Sequence, residues 1–300
     1  MLGQTSDAIA DLLLPSRGES VRIVSAQVKL VAPVASLDTL ELVTALAGQH
    51  VATLQRRITS DTSDYLQTYE VQLTGADQVS IPAGQNMRLV LRAKIRGADV
   101  GGFSDQLIEV RTFSVTFHGD NTQETVNVPA VAPFPKHQTA FGKIAAVSRV
   151  SPVSAPLASG ADQLIGSFGF GGTALAGKTL SLKQLTFDVL STGVVSVTNW
   201  HIQTPGGSAV AVSCSMNSQA RVLSCPNLDA IAALSSDRAL VLEVRGDIAM
   251  PSGPAGNMLE LDLNQTGSPS DFGAVQWTDQ AGNFKWIEGT SPVVQGTKLQ

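Results

Sequence analysis

Chemistry in this chain would have to come from four histidines, two cysteines, three tryptophans and 25 carboxylates. His50, His118, His137 and His201 are scattered, without the HxxxH or HExxH spacing that brings two imidazoles to one metal. No GxSxG turn lifts a nucleophilic serine, and "GSFGFGG" (166–172) lacks the spacing and the following helix of a dinucleotide loop. Acids spread over so many loops form pairs by chance, so spacing selects no glycosidase-like couple. The chain reads as non-enzymatic, with no catalytic residue and no cofactor.

Three weaker signals remain. In "WTDQAGNFKW" (277–286), a two-residue turn at Ala281-Gly282 would set Trp277 opposite Trp286 and Asp279 opposite Phe284, all on one face. Exposed, the four would make a stacking platform for a sugar ring; buried, the aromatics would cap a core, which is the favoured reading. Oxygen-rich loops with Asp61 and Asp64 (60–64), Asp99 and Asp105 (97–105), and residues 118–124 could hold calcium, although none has an EF-hand spacing. Asn264-Gln265-Thr266 is a glycosylation sequon.

Cys214 and Cys225 enclose ten residues and come within reach of each other if the segment folds back. A disulfide there would stabilise by roughly 2–3 kcal/mol and implies an oxidising compartment; the alternative is two free thiols. With no CxxC spacing, zinc and thioredoxin-like redox chemistry are not indicated.

The elements that must position these residues are strands. Of 300 residues, 43% are apolar and only 15% charged, with 27 Gly and 14 Pro, too apolar for disorder and too poor in Lys, Glu and Arg for helices. A net charge of −5 without basic clusters argues against nucleic acid and anionic membranes. No apolar run approaches the roughly 20 residues of a membrane span. The opening "MLGQTSDAIADLLLPSRG" lacks a basic n-region and a proper h-region, reading either as cytosolic or as a mature fragment with an added Met.

In "VRIVSAQVKL" (21–30) the apolar alternation breaks once, at Val24-Ser25, and then resumes. "LSLKQLTFDV" (180–189) breaks at the same place, at Lys183-Gln184. Since side chains alternate faces along a strand, such a break implies a bulge or a switch between sheets. "SDAIADLLL" (6–14) parallels "ADQLIGSFGF" (161–170), residues 81–95 parallel 234–248, and "AFGKIAAV" (140–147) resembles "VQGTKLQ" (294–300). Two tandem antiparallel β-sandwich, Ig-like modules are therefore expected at 1–150 and 151–300, joined through the Pro/Ser/Ala-rich stretch 148–161. "NLDAIAAL" (227–234) allows one or two helical turns. Ile9, Leu12 and Leu14 lie in an apolar N-terminal segment that is either the first strand of its own module or a donor for strand exchange with another copy.

The second module, with "GADQLIGSFGFGG", "KTLSLKQLTFDV", "SVTNWHIQT" and "WTDQAGNFKWIEGTSPVVQGTKL", resembles the repeated β-sandwich domains of large secreted bacterial cell-surface proteins, including those of candidate-phylum bacteria. The first module, with "VTFHGDNTQETVNV" where the second has its Trp hairpin, is less similar. The resemblance covers most of residues 160–300 and carries over no functional residues. It implies an S-layer, stalk, filament or adhesin role at the cell surface: a non-enzymatic structural protein that associates with copies of itself, or alternatively a glycan-binding adhesin.

Overall fold

The computed structural model describes residues 1–16, 18–57, 67–206, 211–235, 238–251, 253 and 255–300. The chain is all-β; among the described residues its only helical elements are three short 3₁₀ turns, one at Leu228–Ala230 inside the segment that allowed helical turns. It divides into two compact units, Met1–Ala140 and Phe141–Gln300. The division falls ten residues before the expected junction, because residues 142–149 form a strand that pairs within the second unit.

In the first unit the strands follow one another in pairing order as β1 (Thr5–Pro15), β7 (Asn86–Ile95), β3 (Leu37–Thr44) and β4 (His50–Arg56). The path continues through β5 (Thr68–Gln72), β2 (Val21–Leu30), β9 (Val110–Gly119) and β10 (Thr125–Pro129). A short β6 (Ser80–Ile81) adds to β2, and β8 (Leu107–Ile108) pairs with β11 (His137–Gln138). Ile9, Leu12 and Leu14 are buried, and β1 is zipped to β7 from Thr5 to Pro15, so the N-terminal segment is the first strand of its own unit.

In the second unit one sheet runs β12 (Gly142–Arg149), β14 (Gly160–Ala174), β21 (Leu240–Ala249), β16 (Ser196–Gln203) and β17 (Val212–Ser213). The other runs β13 (Ser154–Ala155), β25 (Lys298–Leu299), β22 (Met258–Asp262), β15 (Leu180–Thr192), β19 (Val222–Cys225) and β18 (Ser215–Asn217). Beside β15 lie also β20 (Ala233–Leu234) and β23 (Val275–Thr278), and β23 pairs with β24 (Asn283–Phe284). Phe168 of β14 meets Phe187 of β15 at 5.1 Å between ring centroids, which marks the core between the two sheets of the sandwich.

The shared interruption is a β-bulge in both units. Against β9, the register of β2 slips between Ile23 and Ser25; against β23, that of β15 slips between Leu182 and Gln184. One extra residue at each bulge restores the phase, so Val21, Ile23, Ala26, Val28 and Leu30 all face inward, as do Leu180, Leu182, Leu185, Phe187 and Val189. The long partner strand differs. β9 runs beside β2 from Val110 to Gly119, whereas β15 is flanked by β22 over Asp188–Thr192 and by β23 over Ser181–Leu185. The chain between them, residues 263–274, leaves the sheet.

Candidate functional site

That excursion builds the site. Having left β22 at Asp262, the chain returns where the Thr186 N–H donates to the Ala274 carbonyl at 2.8 Å, at the midpoint of β15. The neck of the loop is closed by the Ala274 N–H on the Gln265 carbonyl at 2.7 Å and the Gly273 N–H on the Lys285 carbonyl at 2.6 Å. Gly267, at φ +74°, lies against Gly273 so closely that a Cβ on either would fall within 2.5 Å of the other strand's backbone. The tip is an exchange of hydrogen bonds between Ser268 and Asp271. At its return stands Phe272, 66% exposed, with the Lys285 ammonium 4.8 Å from the ring centroid.

The loop walls a groove of about 510 Å³ over the outer face of β15. Its floor is Gln184, Thr186 and Asp188, the residues that the bulge turns outward, with Gln276 opposite Gln184 on β23. Its walls include Asn264, Gln265 and Phe272 on one side and Val222 of β19 on the other. Gln184 Nε2 donates to Ser224 Oγ at 3.2 Å and Thr186 Oγ1 at 3.3 Å, and Asn264 Nδ2 donates to the Asp188 carboxylate. The amide nitrogen of the sequon is thus turned into the groove wall. Asp188 stands directly across from Asp262, a like-charge pair that would repel. Each has its own compensation: Asp188 takes the Asn264 amide, and Asp262, nearly sealed from solvent, takes the Gly296 N–H at 2.9 Å. Beside it, burial and the Asp262 charge push the Glu260 carboxyl above the ordinary carboxylate range.

The Val222 side of the groove is stapled. Cys214 lies between β17, in one sheet, and β18, in the other, where the chain crosses the sandwich; its disulfide to Cys225 of β19 ties that crossing down. The Cys214 N–H also donates to the Trp200 carbonyl of β16 at 2.8 Å.

The predicted aromatic platform is placed differently. Trp277 and Phe284 are both buried and pair with each other, because the turn is the four-residue loop Asp279–Gly282 rather than Ala281-Gly282 alone. Trp286 is half-buried and supplies the backbone carbonyl that accepts the Trp277 indole N–H at 2.9 Å. Asp279 is buried and structural: its carboxylate accepts the N–H groups of Ala281, Gly282 and Phe141. Of the calcium candidates, Asp61 and Asp64 lie outside the described residues. Asp99 sits in a 3₁₀ turn, and Asp105 accepts the Gln138 amide at 2.5 Å. In the loop 118–124 it is Glu19 that is held, by the Asn121 and Thr122 N–H groups and the Thr122 hydroxyl. No group of three or more His, Cys, Asp or Glu side chains positioned to share a metal occurs among the described residues. The groove itself escaped the sequence reading; its signal was the run of unbroken polarity "NQTGSPSDFG" (264–273) between two strands, with a lone phenylalanine near its end.

No family model matches the chain, and no curated protein matches it. Among solved structures it is similar to the C-terminal domain of the Streptococcus pyogenes antigen I/II-family protein AspA, at 10% identity and a TM-score of 0.22, covering 92% of this chain and 84% of that one. It is also similar to the C-terminal domain of the Streptococcus agalactiae AgI/II polypeptide BspA, at 10% identity and a TM-score of 0.18, covering 87% and 82%. A further structure, BspA_C_WT, gives 9% identity and a TM-score of 0.22 over 87% and 82%. Likeness at this level assigns no role to any residue of this chain.

Proposed function

We propose that the chain is a non-enzymatic extracellular module of a bacterial cell-surface protein, and that its second unit binds a ligand in the groove over β15. The observation that carries this is the joining of the disulfide to the groove: Cys225 lies on β19, three residues beyond Val222 in the groove wall. Disulfides persist outside the reducing cytosol, which supports the compartment. A pre-formed concave site on a β-sandwich supports binding over catalysis.

Self-assembly into a filament or layer is the second reading. It is favoured by β1, a terminal strand in the pairing order of its unit with Leu13 exposed. Negative-stain electron microscopy of the full chain, with and without millimolar calcium, separates the two. Dispersed particles in both conditions are expected. Ordered filaments or sheets would replace the binding reading with self-assembly, and assembly only with calcium would draw the loop of Asp99 and Asp105 into the contact.

A further inference from the structure

We propose that the groove over β15 receives an uncharged sugar ring of a glycan, an inference that deepens the binding reading above and rests on it. The groove is lined by flat, hydrogen-bonding side chains, Gln184, Gln265, Gln276, Asn264 and Asp188, beside one exposed aromatic, Phe272. Carboxamides and carboxylates present donors and acceptors in a fork whose spacing suits neighbouring hydroxyls, each of which both donates and accepts. Much of that capacity is unspent. The side chains of Gln265 and Gln276 and the Oε1 of Gln184 make no hydrogen bond among the described residues. The C–H groups on one face of a pyranose carry slight positive charge and match the negative face of an aromatic ring. Phe272 keeps two-thirds of its surface exposed even with Lys285 over the ring.

Charge narrows the class. Among the described residues the lining holds one carboxylate and no Lys, Arg or His. The Lys285 ammonium beside it is turned onto the Phe272 ring, so an acidic sugar or acidic peptide would meet the Asp188 charge. The volume lies within the range of about 300–1,000 Å³ usual for small-molecule sites. The wall is also braced by the Gly267–Gly273 neck and the loop's own hydrogen bonds, which lowers the ordering cost of binding.

The test is saturation-transfer NMR on the full chain with four probes: maltotriose, mannotriose and triacetylchitotriose as neutral sugars, and 3′-sialyllactose as the acidic one. At least one neutral trisaccharide is expected to receive saturation, and sialyllactose none. For the neutral ligand, Phe272→Ala is expected to weaken binding about tenfold and Gln276→Ala several-fold, with the melting temperature of both variants unchanged. Saturation of no neutral sugar, of sialyllactose preferentially, or of a neutral sugar equally in Phe272→Ala would each overturn the inference. If all sugars fail while the particles stay dispersed and the disulfide intact, the glycan assignment alone falls, and peptides become the next ligand to screen. If the chain forms ordered arrays, the underlying binding reading falls as well.

Discussion

Trp277 stacks on Phe284 across the β23–β24 hairpin, with ring centroids 4.1 Å apart and planes inclined by 16°. Both rings are withdrawn from solvent, and the Trp277 indole N–H is satisfied by the Trp286 carbonyl. The register follows from Asp279: by accepting the Ala281 and Gly282 N–H groups, its carboxylate makes the turn four residues long. A two-residue shift in pairing leaves every side chain on its expected face, which is why the aromatics cluster even though their partners change. Trp277→Ala is expected to cost about 3–5 kcal/mol, as for other large-to-small core changes. Urea titration followed by Trp fluorescence checks this; an unmoved midpoint would mean that Trp277 is a surface residue.

Lys183 is the extra residue of the β15 bulge. Without it the strand would read Leu180, Ser181, Leu182, Gln184, Leu185, an unbroken alternation. Deleting it would straighten the strand and leave Leu185, Phe187 and Val189 facing the core. The second unit is therefore expected still to fold, keeping the dispersed resonances of residues 141–300 in a ¹⁵N correlation spectrum. Lys183→Ala keeps the residue count and removes only an exposed, long contact to Asp229, so its effect should stay within about 0.5 kcal/mol. A deletion that unfolded the unit while the substitution did not would show that Lys183 is not the residue the bulge absorbs. Val24 in β2 is the matching deletion for the first unit.

Alternation made the strands legible, and its single interruption gave away both bulges, because burial on one face leaves a direct record in residue type. The Cys214–Cys225 pair was legible because only ten residues separate the cysteines. Pairing partners left no such record. "GKIAAVSR" (142–149) has a clear strand rhythm, yet nothing local says that it lies on β14 of the second unit rather than closing the first. The groove was hidden for the same reason. The sequence shows two strands with a polar stretch between them, but not that β22 and β23 share one neighbour, so that residues 263–274 must arch over its face.

The disulfide spans the point where the chain passes from one sheet to the other, so its removal should act on stability and on the groove together. For a loop this short, the chain-entropy model gives about 2–3 kcal/mol. Replacing Cys214 and Cys225 together by Ser is expected to lower the unfolding free energy read from a urea titration by that amount and to weaken any groove ligand. Thiol titration of the unreduced protein should find no free cysteine before reduction and two after it. Two thiols in the untreated protein would remove the main support for the extracellular reading.

Three carboxylates set an acid dependence of opposite sign. Glu19 lies below its ordinary 4.5, first through the Thr122 hydroxyl and then the Thr122 and Asn121 N–H groups. Asp247 lies below 3.8 through the Asp162 N–H and the Asn199 amide. Both bind protons more tightly when unfolded, so their stabilisation is present above those values and is lost as pH falls through the lower folded ones. Glu260 is raised above 4.5, by burial first and then by Asp262, with which it shares a hydrogen bond. Its charged form is disfavoured in the fold, so stability declines as pH rises from 4.5 through the folded value. Glu260→Gln is therefore expected to raise the melting temperature at pH 7 by about 1–2 °C, a small effect because the group is partly hydrated, and the gain should vanish below pH 4. Glu19→Gln and Asp247→Asn should do the reverse, lowering the melting temperature at pH 7 and losing their effect as pH falls below the ordinary values through the lowered folded ones. Calorimetry of the three variants at pH 3, 5 and 7 checks the signs. If Glu260→Gln were destabilising at pH 7, the ionised carboxylate would have to be held by a cation such as Lys298 or Arg149, the two groups that oppose the shift, and the burial argument for the outer face of β22 would fail.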